Sequence, residues 1–317
     1  MTDAQVDLAF DQTVPRGIAH RRAVGEVFVT DSAQVAEDEF VLAVQIPRAH
    51  SLWADRTVPY HDPLATGEAG RQASFVVLHR HLGVPLDLPF SMQRYELTVA
   101  NLDAYRDNER SPMQGILHYR LRDKEFRGRE LGSLRFEGEL MIDGVRAMRI
   151  GGNVVFLSRD DYQALRAFRR SRKPVEPGRV PEQVKPIGAS AVGRVDQRNV
   201  VIGTATTSGD SVRYPLVIDQ RHPSFFDHSY EHVPGPLCVE GFRQAAIVAA
   251  YQRGLIESPV VALTGCEISF ADFGEFEGPL YYTADAAAVG EGASVQAVLH
   301  QFGKQIATGH LQLRQYP

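Results

Sequence analysis

Cysteine is scarce in this chain of 317 residues, which contains only Cys238 and Cys266. Two cysteines are too few for a disulfide framework in a chain of this length, and no cysteine and histidine cluster has the spacing of a zinc site. The sequence therefore predicts a protein of a reducing compartment, with no metal and no cofactor.

Long apolar runs are also absent, since no stretch of about 18 apolar residues occurs anywhere in the chain. The opening residues, MTDAQVDLAFDQTVP, lack the basic region followed by an apolar region that marks a secretory signal. We therefore expect a cytoplasmic protein that does not associate with membranes.

Positive charge is in deficit, because the formal net charge is −5 at pH 7. An acidic chain is poorly suited to bind the phosphate backbone of nucleic acid, so a nucleic-acid partner is not expected. The one basic concentration is the run RAFRRSRK from Arg166 to Lys173. It is consistent either with a solvated helix face or with a docking patch for an acidic carrier protein.

The sequence does contain an internal repeat. Glu68–Ala73 reads EAGRQA and Glu240–Ala245 reads EGFRQA, so the two copies are offset by 240 minus 68 in the numbering. The same offset relates two further pairs upstream, His50 with His222 and Asp55 with Asp227. A gapless repeat of this size in a chain of this length predicts two domains of similar fold.

Each half is predicted to contain one long apolar helix. Asp62 and Pro63 provide an N-cap and a first residue for a helix that runs to about Arg80, and Gly235-Pro236 opens a second helix that ends near Gly254. Strand-like runs surround both helices, among them Val24–Thr30 and Phe40–Ile46 in the first half and Asn199–Thr206 in the second.

Together these patterns predict an α+β protein of two hotdog domains, each a long central helix wrapped by an antiparallel sheet, which form an intramolecular pseudo-dimer. The predicted division is 1–170 for the N-terminal hotdog domain, 171–187 for a linker and 188–317 for the C-terminal hotdog domain. The linker is assigned because its prolines, scattered among charges, prevent both helix and central strand.

The repeated motif brings polar side chains onto one helix face. Glu240, Arg243 and Gln244 are spaced i, i+3 and i+4, and Glu68, Arg71 and Gln72 have the same spacing. One interpretation is a structural ion pair with a bridging glutamine. The other is a working polar site, which two copies on apolar helices make more plausible than one copy would.

Histidine side chains, which can bind or release a proton near pH 7, precede the second helix. His228 and His232 are candidates for proton transfer, although surface loop histidines are the simpler interpretation. The backbone N–H of Gly235, at the start of the helix, could form an oxyanion hole for a carbonyl oxygen. Cys238 is interpreted as a buried core residue, not as a nucleophile.

Several of these motifs together resemble a known family. Phe225-Phe226-Asp227-His228, then His232-Val233-Pro234-Gly235, then Glu240-x-x-Arg243-Gln244-Ala245, and the opening His20–Asp31, are similar to the hotdog-domain synthases of γ-butyrolactone signalling molecules, the A-factor biosynthesis family. The resemblance covers nearly the whole chain. It implies transfer of a β-ketoacyl group from an acyl carrier protein thioester to a hydroxyl of dihydroxyacetone phosphate or a similar acceptor.

With that reaction, Glu240 is predicted to remove the proton of the acceptor hydroxyl, and Arg243 to orient Glu240 or hold the acceptor phosphate. The residues predicted to be catalytic are Glu240, Arg243, Glu68 and His232. The residues predicted to bind substrate are Gly235, Gln244, Arg71, Gln72 and His228.

Two other functions remain open at this point. A hotdog acyl-thioester dehydratase or thioesterase shares the fold, although a β-keto thioester lacks the hydroxyl that a dehydratase eliminates. A non-catalytic protein that binds an acyl ligand or a carrier is the third possibility. The first half has His61-Asp62-Pro63 where the second has Val233-Pro234-Gly235, so its site is predicted to be degenerate.

Overall fold

The computed structural model describes residues 6–128, 130–176, 178, 183–209 and 211–317. The described chain forms two compact units. The first contains the residues up to Ala54 together with Pro59–Met92 and Leu97–Ser158, and the second contains Asp55–Val58, Gln93–Glu96 and Arg159–Pro317.

The first unit is a sheet with one long helix. Its strands are β1 (Val29–Ala36), β2 (Glu39–Ile46), β3 (Phe90–Val99), β4 (Met113–Arg127), β5 (Glu130–Ile142) and β6 (Val145–Phe156), in the order β1-β2-β4-β5-β6-β3. Helix α1 (Pro63–Val76) continues as a π-helical turn over Val77–His81. Asp143 and Gly144 both have positive φ, as the tight turn between β5 and β6 requires.

The second unit repeats this plan. Helix α2 (Arg159–Ser171) comes first and α3 (Gly235–Gln252) is the long helix. The strands are β7 (Thr206–Ser208), β8 (Ser211–Pro215), β9 (Val261–Phe270), β10 (Leu280–Val289), β11 (Gly292–Gln301) and β12 (Lys304–Gln315), in the order β9-β12-β11-β10-β8-β7.

The long helices lie against their sheets at glycines. A Cβ on Gly70 of α1 would overlap Cδ1 of Ile150 on β6, and a Cβ on Gly241 of α3 would overlap the hydroxyl of Tyr282 on β10. Close approach of helix to strand is therefore the reason that a residue without a side chain occupies each position. The prediction of two hotdog-like units is confirmed.

Two predicted strands are wrong. Residues Val24–Glu26 form a 3-10 turn and β1 begins only at Val29, and Gln197–Asn199 form a 3-10 turn followed by isolated bridges. In both places the backbone carbonyl at the end of the turn accepts a hydrogen bond from a helix glutamine instead of joining a strand ladder. The apolar composition of these segments reflects burial, not strand pairing.

Helix α2 belongs to the second compact unit. The predicted linker falls partly on residues 177 and 179–182, which lie outside the described residues, and the division at 170 and 187 stays a prediction. None of the described helices is long and apolar enough to cross a membrane.

Candidate active site

The carboxylate of Glu240 is fully buried in the second unit and is surrounded by donors. Its Oε1 accepts hydrogen bonds from Nη2 of Arg194 at 3.0 Å and from Nε2 of Gln244 at 2.6 Å, and its Oε2 accepts one from Nη2 of Arg243 at 2.5 Å. A buried carboxylate with two guanidiniums and an amide is stable as the anion.

Gln244 connects this carboxylate to the turn before the sheet. Its Oε1 accepts from the backbone N–H of Val201 at 2.8 Å, and its Nε2 also donates to the carbonyl of Asn199 at 2.7 Å. The side chain of Asn199 in turn lies 3.0 Å from Nε2 of His222. The network therefore fixes α3 to the 3-10 turn and to the loop that contains His222.

The first unit contains the same network. The carboxylate of Glu68 accepts from Arg21 and, at 2.8 Å, from both Nε and Nη2 of Arg71, and Gln72 donates to it at 2.9 Å. Gln72 also accepts from the N–H of Phe28 and donates to the carbonyl of Glu26, each at 2.8 Å.

Charge fixes the protonation state of Glu68. Burial by itself would raise the pKa of Glu68, but the guanidiniums of Arg21 and Arg71 outweigh burial and lower that pKa to about 2. A carboxylate with so low a pKa is a weak proton acceptor at neutral pH. The contacts of Glu240 are of the same kind.

Sequence reasoning missed Arg21 and Arg194, which come from outside the repeated helix motif. The difference in residue number between Arg21 and Arg194 is larger by one than the difference between Glu68 and Glu240. Glu26 and Asn199 are separated by the same larger difference. The shift of one position hides this pairing from a gapless comparison. The signal that could have revealed this pairing is an arginine five positions before Glu26 and a second arginine five positions before Asn199.

The two long helices begin differently. The carboxylate of Asp62 caps α1 by accepting from the N–H of Leu64 at 3.0 Å, whereas Pro234, the N-cap residue of α3, makes no side-chain cap. A Cβ on Gly235 would meet no atom of the described chain within 4 Å. The positive end of the α3 dipole therefore has open space beside it.

His228 and Asp227 form a pair in the loop before α3. Nδ1 of His228 lies 2.5 Å from Oδ1 of Asp227, whose side chain is 1% exposed, while the His228 side chain is 29% exposed. A carboxylate in this position accepts the Nδ1 proton and leaves the lone pair on Nε2.

His232 lies in a different environment. It is largely buried against the edge of the Phe273 ring, and its Nδ1 has no hydrogen-bond partner in the described part of the chain. Burial, with the nearby positive charges of Arg166 and Lys173, lowers the pKa of His232 to about 4. His232 is therefore neutral at pH 7 and a weak base.

The basic run from Arg166 to Lys173 forms hydrogen bonds with Glu275 and with the loop before α3. Arg166 makes two hydrogen bonds to the buried carboxylate of Glu275, at 2.9 and 3.0 Å, and its Nη2 lies 3.4 Å from the carbonyl of Glu231. Arg170 and Lys173 also bind Glu275. Of the basic run, Arg169 and Arg172 are exposed, so the solvated-face interpretation applies to only part of it.

Cys238 is buried in α3. Burial raises the pKa of its thiol to about 12, so the thiolate is essentially absent at neutral pH. The core interpretation of Cys238 is therefore supported. In the described residues no three histidine, cysteine, aspartate or glutamate side chains gather as metal ligands would.

The chain has relatives of known description. It is 31% identical over 273 residues to a 2-oxo-3-(phosphooxy)propyl 3-oxoalkanoate synthase of Streptomyces virginiae, an alignment that covers 86% of this chain and 87% of that protein. A synthase of the same description from Streptomyces griseus is 29% identical over 298 residues, covering 92% of this chain and 93% of the relative.

Solved structures share the fold at low identity. A protein described as an oleoyl thioesterase from Lactobacillus plantarum superposes with a TM-score of 0.52 at 12% identity, over 88% of this chain and 97% of that chain. The pyran synthase domain from module nine of the sorangicin pathway has a TM-score of 0.51 at 14% identity, over 92% and 98%. These likenesses support the fold alone.

The sequence also matches the family described as A-factor biosynthesis hotdog domain twice, over residues 2–146 and 176–317. The two matches coincide with the two copies of the buried glutamate, arginine and glutamine network. This chain therefore belongs to the A-factor biosynthesis hotdog family.

Proposed function

We propose that this chain is an acyltransferase that esterifies a hydroxyl of dihydroxyacetone phosphate with a 3-oxoacyl group, in the biosynthesis of a γ-butyrolactone, butenolide or furan signalling molecule. The observation that carries the proposal is the 31% identity, along 86% of this chain, to a synthase of 2-oxo-3-(phosphooxy)propyl 3-oxoalkanoate. That compound is the ester of a 3-oxo acid with phosphorylated dihydroxyacetone.

The reaction needs a polarised carbonyl, a proton acceptor and a cation for the phosphate. The acceptor hydroxyl loses its proton, its oxygen bonds to the thioester carbon, the carbon–sulfur bond breaks, and the proton passes to the leaving thiolate. We place the carbonyl at the start of α3, where a Cβ on Gly235 would meet nothing within 4 Å and the helix dipole favours negative charge.

In each copy of the network, the glutamate and glutamine position the helix and the arginines, and the arginines provide positive charge. Glu240 and Gln244, like Glu68 and Gln72, are engaged by protein groups, so we assign them to holding the helices and arginines in place. The arginines are the candidates for the acceptor phosphate, because a guanidinium matches phosphate oxygens in geometry and charge. In the second unit this candidate is Arg243, whose side chain is 7% exposed.

The acyl donor is proposed to be a thioester on an acyl carrier protein. An acidic carrier would contact exposed cations, and Arg169 on α2 and Arg172 just after it are available for this purpose. Arg170 is a weaker candidate because its guanidinium binds Glu275 and Glu277.

Mass spectrometry of a mixture of the protein, a 3-oxoacyl carrier protein and dihydroxyacetone phosphate tests the function. The expected product is the phosphorylated ester, formed only when all three are present. A free 3-oxo acid formed at the same rate without dihydroxyacetone phosphate would instead indicate a thioesterase, and an unchanged thioester that binds saturably would indicate a non-catalytic protein.

A further inference from the structure

The two copies of the repeat differ at the residue after a shared aspartate. Asp55 and Asp227 are related by the same offset as the helix motifs, but Asp55 is followed by Arg56 and Asp227 by His228. The buried glutamate network is present in both copies and is therefore common to the fold. A chemical group present in only one copy is a better candidate for the group that reacts.

Glu240 is poorly suited to accept a proton from substrate. Its side chain is fully buried, and its two oxygens accept from Arg194, Arg243 and Gln244. Protonation would place a neutral acid between two buried guanidiniums, which electrostatics opposes. A proton acceptor for the hydroxyl has to come from another side chain.

His232 is also poorly suited. The groups that face it are Arg166, Lys173 and Glu275, together with the ring of Phe273, and the two cations disfavour a further positive charge there. An imidazole in this environment does not retain a proton during the reaction.

His228 has the geometry that the role requires. We propose, on the basis of the acyl transfer proposed above, that Nε2 of His228 accepts the proton of the acceptor hydroxyl and that Asp227 positions its ring. Asp227 binds Nδ1 at 2.5 Å, which fixes the tautomer with the lone pair on Nε2. The ring centroids of His228 and Tyr230 lie 4.1 Å apart, and 29% of the His228 side chain is exposed, so the imidazole is accessible from solvent.

His228 both accepts the proton and returns it in the course of the reaction. His228 takes the proton as the hydroxyl oxygen attacks the thioester carbon, and the buried carboxylate of Asp227 stabilises the imidazolium. The imidazolium then returns the proton to the thiolate as the carbon–sulfur bond breaks, so no oxidant or other co-reactant is needed.

The pH dependence of ester formation by the wild type and His228→Gln tests the assignment. We expect kcat to fall by about 10²- to 10⁴-fold and the KM for the 3-oxoacyl carrier to change by less than about threefold. The acidic limb of the kcat/KM profile should disappear, and added imidazole should partly restore activity to His228→Ala. Arg56→Gln, altered at the equivalent position in the repeat, should keep the wild-type profile.

Asp227→Asn provides a second measurement. Without the carboxylate the imidazole loses the partner that orients it, so kcat should fall while the KM for the 3-oxoacyl carrier changes little. A kcat that is unchanged in both His228→Gln and Asp227→Asn overturns the role of His228 while leaving the acyl transfer intact. A wild-type protein that forms no ester overturns the proposed function instead.

Discussion

Glu68 and Glu240 lie in equivalent positions of the repeated motif, and each carboxylate is held by one arginine of its own helix and one arginine from a loop upstream. Two arginines from separate parts of the chain therefore neutralise the charge of each carboxylate. This arrangement stabilises the position of each long helix and fixes the two arginines beside its glutamate.

Loss of an upstream arginine is expected to destabilise its unit. Arg194→Ala removes one partner of the buried Glu240 and should lower the free energy of unfolding by about 3 to 5 kcal/mol, measured by urea denaturation. Arg198→Ala is the matched control, because Arg198 is exposed and pairs with Asp196 at the surface. Equal midpoints for the two variants would contradict a structural role for Arg194.

Acid should destabilise the first unit through Glu68. The pKa of Glu68 is about 2 in the folded protein and near 4.5 when unfolded, so its contribution is present above pH 4.5 and is lost as the pH falls towards 2. The melting temperature of wild type should therefore decline more steeply over this range than that of Glu68→Gln. Parallel curves for the two proteins would show that Glu68 is not a buried anion.

The contact of Gly70 with Ile150 should behave as a coupled pair. Gly70→Ala places a methyl against Cδ1 of Ile150, and we expect a cost of about 1 to 3 kcal/mol from overpacking. Ile150→Val removes that Cδ1, so the double variant should be more stable than the sum of the single effects predicts. Gly17→Ala is the control, since a Cβ there meets nothing within 4 Å. Strict additivity would argue against the close approach.

Charge reversal at Arg169 of α2 and at Arg172 just after it should separate carrier docking from chemistry. Arg169→Glu with Arg172→Glu is expected to raise the KM for a carrier-bound substrate several-fold, while leaving kinetics with a small thioester analogue unchanged. Arg314→Glu, an exposed arginine on β12, serves as the control. Equal effects on both substrates would end the docking proposal.

The thiol of Cys238 should be dispensable for the reaction. With a pKa of about 12 it is protonated at pH 8, and we expect iodoacetamide to alkylate it in the native protein much more slowly than in urea. Cys238→Ala should form ester at nearly the wild-type rate. An acyl group covalently bound at Cys238, detected by peptide mass spectrometry, would contradict this expectation.

The sequence alone predicted the features that local rules govern. The cap of Asp62 and the two long helices follow from residues adjacent in the chain, and all are present. The apolar character of both helices predicted their burial. The repeat predicted two units of similar fold.

The sequence did not predict contacts between residues that are far apart in the chain. Arg21 and Arg194 contact glutamates 47 and 46 residues away, and no local pattern indicates which buried carboxylate an arginine will meet. The strand predicted at Val24–Thr30 failed for a similar reason, because the amide of Gln72 binds the turn and replaces ladder hydrogen bonds. The structure surrounds Glu240 with donors and His232 with nearby cations, so the proton transfer that the sequence assigned to them is proposed for His228 instead.

Ester formation in water enriched in oxygen-18 tests the central claim most directly. The ketone oxygens of donor and acceptor exchange with water, but transfer to dihydroxyacetone phosphate brings no solvent oxygen to the ester group. We therefore predict a phosphorylated 3-oxoacyl ester whose two ester oxygens are unlabelled and whose yield rises with dihydroxyacetone phosphate. Formation instead of a 3-oxo acid that carries oxygen-18 in its carboxyl group, in a yield independent of dihydroxyacetone phosphate, would contradict the account.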